Sequence, residues 1–91
     1  MEEKIEALAQ LFRETAIAHH EAYSATNGDD PAWPLWYADY LYDKLPPYIN
    51  EPISKDAFIS ALIRLDQEVR SKSEDVDWAM YYAKSLVNRP A

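Results

Sequence analysis

Asp30–Leu45 reads DPAWPLWYADYLYDKL, and the fold turns on this stretch. It holds Trp33 and Trp36, two of the three tryptophans, and Tyr37, Tyr40 and Tyr42, three of the seven tyrosines. A solvated loop has no reason to concentrate so much ring area. Buried rings dominate the energetics of cores and interfaces, so this stretch is the hub on which the other segments pack. Asp30 before Pro31 suits a capping turn, with a main helix expected from about Pro34 to Lys44. Leu35, Ala38, Leu41, Tyr42 and Leu45 are its expected core face. Pro46-Pro47 ends it, because proline lacks the amide donor and restricts the residue before it.

The segments on either side read as helices. From Glu3 to Thr26, Ile5, Leu8, Phe12, Ala16, His19 and Tyr23 recur at helical spacing. Glu2, Glu3 and Glu6 favour the positive end of the helix dipole. Gly28 is the only glycine and suits a left-handed helix closure. Beyond the connector PPYINEPI (46–53), Ser54 is a good N-cap for a third helix. Phe58, Leu62, Leu65 and Val69 form its stripe, widened by Ile59 and Ile63. A fourth helix is expected after a cap at Ser73, with Glu74, Asp75 and Asp77 in its first turn. Val76, Met80, Ala83 and Val87 are its expected stripe, with Ala79 and Leu86 beside it. The short link between the third and fourth helices predicts an antiparallel pair. No period of two is sustained and no internal repeat is apparent. The expectation is one all-α domain over 1–91, a compact and irregular four-helix bundle.

Charge and composition narrow the function. The chain has 91 residues and a formal net charge of −7, with nine basic residues scattered singly. Nucleic acid and anionic membrane are disfavoured as partners, since both attract clustered Lys and Arg. There is no cysteine, which excludes disulfides and thiolate metal sites. No apolar run reaches the ~18 residues a membrane span needs, and MEEKIEAL is no signal peptide. The expected location is cytoplasmic.

Three constellations could carry chemistry. His19-His20-Glu21 contains both histidines, but adjacent helical residues point about 100° apart and cannot share a metal in the usual way. His19 lies on the apolar stripe, so it reads first as a hydrogen-bonded core residue and second as a ligand or an acid–base group. A hydrolase or lyase pairing it with Asp39 or Tyr37 is the remote catalytic alternative. Asp39 and Asp43 stand at i and i+4, which reads as a solvated face or a pair for a basic side chain. The competing reading is a calcium site completed by Asp29 and Asp30, with Asn27 and Glu21 from the same turn, although no EF-hand spacing is present. The ring set is the third. The rings of the hub point in several directions and cannot all face one core. Trp33, Trp36, Tyr37 and Tyr40, with His19 and His20, are therefore expected to line a groove or a self-association surface. No cofactor, Gly-rich phosphate loop or nucleophile motif is visible.

HHEAY at 19–23, followed by DPAWPLWYADYL at 30–41, resembles a short module of small bacterial proteins. The likeness spans about a quarter of the chain and rests on its aromatic-proline punctuation. It implies a compact unit that stands alone or is appended to other domains. It implies no activity, so no functional residue follows from it.

Overall fold

The computed structural model describes residues 2–28, 30–49, 51–72 and 76–88. Within them lie four helices and no strand: α1 (Glu2–Ala22), α2 (Trp33–Leu41), α3 (Lys55–Ser71) and α4 (Trp78–Val87). Short 3-10 turns follow α1 at Ser24–Thr26 and α2 at Tyr42–Lys44. α1 packs on α2 and most extensively on α4, and α3 also packs on α2 and α4. The helices thus form a ring, with α1 and α3 across one diagonal. No described helix is long and apolar enough to cross a membrane.

α1 buries Ile5, Leu8, Ala9, Phe12, Thr15 and His19, close to the expected stripe. Thr15 is fully buried in that stripe because its hydroxyl donates 2.7 Å back to the Leu11 carbonyl. α1 ends before Thr26. The chain tightens to a 3-10 turn, then Asn27 and Gly28 take left-handed conformations at φ 57° and 84°. The Gly28 amide closes this turn on the Tyr23 carbonyl at 2.9 Å.

α2 is shorter than expected and turns a different face inward. It stops at Leu41 and tightens to 3-10 geometry ahead of Pro46. Its buried residues are Pro34, Tyr37, Ala38 and Leu41, followed by Leu45. Leu35, expected in the core, is 53% exposed. The larger area of the Tyr37 ring decides the rotation. Tyr42 is half-buried and donates 2.6 Å to the Ile53 carbonyl, pinning the connector.

α3 starts as expected. Ser54 caps it by accepting from the Ala57 amide at 3.1 Å. Phe58, Ala61, Leu62 and Leu65 are buried, Val69 and Ile59 half-buried, and Ile63 is 44% exposed rather than part of the stripe. Tyr81 donates to Glu68 at 2.7 Å near one end of α3. At the other end Ala57 and Ala61 share a surface cleft with Leu86 and Asn88, so α3 and α4 run antiparallel.

α4 departs from the expectation at its start. The expected cap Ser73, with Glu74 and Asp75, lies outside the described residues. The cap is Asp77, whose carboxylate accepts from the Met80 amide at 3.4 Å and from Arg13 of α1 at 2.8 Å. The buried stripe is Ala79, Tyr82, Ala83, Leu86 and Val87, while Met80 and Val76 are half-buried. Tyr82 sets this register. It meets the fully buried Phe12 ring edge to face at 5.5 Å, and Trp78 does so at 6.2 Å. Asp77→Ala should lower stability by about 1 kcal/mol, the usual worth of an N-cap, since the exposed Arg13 pair adds little. Urea unfolding checks it; a change under about 0.3 kcal/mol would return the start of α4 to residues upstream.

Candidate functional site

The site grows from the hinge between α1 and α2. His19, in the last turn of α1, has its Nε2 3.0 Å from Oδ2 of Asp30, and both side chains are nearly buried. An ionised carboxylate only accepts, so Nε2 carries the hydrogen and donates. The other oxygen of Asp30 accepts from the Ala32 amide at 3.0 Å, fixing the turn that launches α2. His19 thus pairs with Asp30, not with the Asp39 weighed for acid–base chemistry.

Around His19 the rings form one connected cluster. Its ring lies 4.9 Å from Tyr23, 5.1 Å from Trp36 and 5.5 Å from Tyr37. Trp33 meets Tyr37 edge to face at 5.1 Å. Trp36 stacks on Tyr40 at 5.3 Å with only 12° between planes, and the Lys44 ammonium covers the Tyr40 ring at 4.3 Å. Five of the six expected groove residues therefore belong together, with Trp33, Trp36 and Tyr40 half-buried and His19 and Tyr37 buried. His20 takes no part in the cluster: it is exposed, and its ring lies against Gly28.

The buried side of this cluster opens on a cleft of about 330 Å³ to which all four helices contribute. α1 supplies His19, α2 supplies Trp33 and Tyr37, and α4 supplies Trp78 and Tyr82. α3 supplies Asp66, Val69 and Arg70, and the hinge supplies Gly28 and Asp30. The two ring pairs match. Trp78 and Tyr82 meet edge to face at 5.3 Å and 80°, and Trp33 and Tyr37 do so at 5.1 Å and 80°. Each pair spans one helical turn, at i and i+4. Trp78, Tyr82 and the α3 residues were not among the expected site residues. The signal for the first two is in the sequence: WPLWY at 33–37 and WAMYY at 78–82 share the spacing Trp-x-x-x-Tyr. Nothing in the sequence marks the α3 side.

The polar groups of the cleft are few. Arg70 Nε donates 2.9 Å to Asp66, one turn earlier on α3. The hydroxyls of Tyr37 and Tyr82 make no hydrogen bond among the described residues. Among the described residues no polar side-chain atom is both sealed from solvent and unpartnered, so both hydroxyls keep some contact with solvent. Burial raises both phenols above their ordinary 10.0, and for Tyr82 the nearby Asp66 raises it further. Among the described residues no Ser, Thr, Cys or Lys lines the cleft, so none of them offers His19 and Asp30 a usual nucleophile to activate.

Three of the four aspartates weighed for calcium are described. Asp39 pairs with Lys55 of α3, whose ammonium is held above its ordinary range by that hydrogen bond. Asp30 is engaged by His19, Asp43 is exposed, and Asp29 lies outside the described residues. Among the described residues no three His, Cys, Asp or Glu come together as a metal-holding group. A second cleft, of about 400 Å³, lies under the connector between Tyr42 and Ile53. Among the described residues it is lined by the hub's end and the connector.

Two outcomes check this geometry. The unfolded chain loses its tyrosine protons as pH passes 10.0, whereas the folded chain holds those of Tyr37 and Tyr82 to higher pH. Their contribution to stability is therefore complete below pH 10.0 and falls away as pH rises through the folded values. Urea midpoints should decline above about pH 10, and Tyr82→Phe should flatten that decline. In the hinge, Gly28 sits at φ 84°, and an added Cβ would lie 2.6 Å from Nδ1 of His20. His20 is exposed and can swing away, so the left-handed backbone sets the cost. Gly28→Ala should lose about 1–2 kcal/mol by thermal unfolding.

The chain matches no protein-family model, no curated protein and no solved structure. Its function has to be argued from the geometry above.

Proposed function

We propose that this domain is a non-enzymatic binding module that engages a protein partner, or a second copy of itself, through the rings of α2 and the adjoining cleft. One observation carries the reading. Two matched Trp–Tyr pairs line one cleft, with the tyrosines buried as its floor and the tryptophans half-exposed at its sides. Half-exposed Trp beside an open pocket is the kind of anchor on which protein interfaces concentrate their energy. The stacked Trp36–Tyr40 pair extends the ring surface along α2. The absence of cysteine and the net charge of −7 fit a soluble accessory domain in a reducing, cytoplasmic setting.

Selection from a phage-displayed random peptide library, with sedimentation velocity over a wide concentration range, tests this reading. A selected peptide or a dimer is expected. Its affinity should fall about tenfold in Trp33→Ala, and also in the double variant Trp36→Ala/Tyr40→Ala, at unchanged helical circular dichroism. A wild-type chain that selects no peptide and stays monomeric would refute it. Variants that lose binding only together with helicity would make these rings core residues and nothing more.

A further inference from the structure

Resting on that reading, we propose that the cleft takes a lysine or arginine side chain presented by a basic segment of the partner. The lining supplies what a cation needs and an anion lacks. Four rings, Trp33, Tyr37, Trp78 and Tyr82, line it beside Val69 and the polar side chains of α3, and aromatic rings attract cations through the negative part of their quadrupole. Among the described residues its acidic and strongly basic side chains are two carboxylates, Asp30, already bonded to His19, and Asp66, against one guanidinium, Arg70.

That guanidinium does not block the site. The Arg70 side chain is 76% exposed, while Asp66 is 28% exposed. An exposed i, i+4 pair of this kind is held by only a few tenths of a kcal/mol. An incoming cation can take Asp66 while Arg70 turns out to solvent. Tyr37 and Tyr82 line the same space. Their oxygens accept hydrogen bonds from an ammonium or guanidinium.

The surroundings favour a chain segment over a free amine. From the cleft, the ring surface runs along α2 through Trp36 and Tyr40. Asp39 and Asp43 lie exposed on the same helix and its 3-10 extension; Lys55 on Asp39 and Lys44 over Tyr40 make exposed contacts that an incoming cation can displace. Rings and acids together make a track longer than one side chain. A net charge of −7 would draw a basic segment toward it and repel an acidic one.

The probe is a blocked heptapeptide with lysine at alternate positions. Controls carry norleucine or glutamate at those positions, and butylammonium serves as the free cation. Proton–nitrogen correlation spectra follow the indole signals of Trp33 and Trp78. The lysine peptide should shift both indoles and bind about tenfold more tightly than the norleucine peptide. It should also bind more tightly than butylammonium. Asp66→Asn, a change at a partly exposed position, should weaken it several-fold while the melting temperature stays put.

Equal or tighter binding of the norleucine or glutamate peptide would overturn the inference. So would butylammonium binding as tightly as the peptide, shifts confined to residues away from the cleft, or no binding by any probe. The two readings fail separately. If the library selects acidic or apolar peptides that shift the same indoles, the binding module stands and the cationic occupant falls.

Discussion

One carboxylate holds the hinge on which the arrangement depends. Asp30 accepts from His19 with one oxygen and from the Ala32 amide with the other. The first bond fixes the end of α1 to the hinge, and the second fixes the angle at which α2 leaves it. A buried carboxylate with fewer donors would be costly to desolvate, and a buried imidazole nitrogen without a partner likewise. Each group makes the burial of the other tolerable. Their joint position sets where the rings of α2 fall, because His19 touches Trp36 and Tyr37 directly. Gly28 and Asn27 supply the left-handed backbone that lets the chain turn back tightly enough for the bond to form.

The opposite side of the cleft has a different anchor. Phe12 is fully buried and contacts both Trp78 and Tyr82 edge to face. α1 therefore positions both ring pairs, one through His19 and one through Phe12, two turns apart on the same helix. The cleft exists because these two attachments hold α2 and α4 to a shared helix while α3 completes the wall with smaller or polar side chains. The edge-to-face geometry within each pair is specific, contributing about 0.5–1.5 kcal/mol beyond area burial. It also directs one ring inward and leaves its partner nearer to solvent.

Much of this was legible in the residues. The stripes of α1 and α3 are aliphatic on one side and polar on the other, so periodicity located Leu8, Phe12, Phe58 and Leu62 correctly. Ser54 announced its helix because a serine hydroxyl serves the exposed amides at a helix start. The hub was legible as a hub but not as a face. Leu35 and Tyr37 both look apolar on a helix wheel, and only the packed neighbours decide between them. On α4 the expected Ala79, Ala83, Leu86 and Val87 are buried, and the stripe departs for the same reason at one place: Tyr82 outweighs Met80 once Phe12 is opposite it. The partnership of His19 with Asp30 could not be read from spacing, because it crosses a turn whose geometry depends on Asn27 and Gly28. Asp66 and Arg70 were invisible as site residues, since an i, i+4 acid–base pair looks the same on any solvated helix.

The ring surface left outside the core follows from helix geometry before it follows from function. Pro34, Ala38 and Leu41 mark the buried side of α2; Trp33 and Tyr37 lie beside it, and Trp36 and Tyr40 lie about 60° further round, away from it. The inner pair therefore borders the core, and the outer pair falls beyond its edge. The inward pair forms a wall of the cleft. The outer pair stacks nearly parallel, with Lys44 over its far end, so each ring hides a face of the other. That stack reduces the exposed apolar area the sequence would otherwise imply, and an exposed apolar patch is the usual invitation to nonspecific association. What stays accessible is narrow: ring edges along α2 and the space between the two Trp–Tyr pairs. The surface left for a partner is therefore a cleft of fixed geometry continued by the stacked rings beside it, and not the whole ring-rich helix that composition alone suggests.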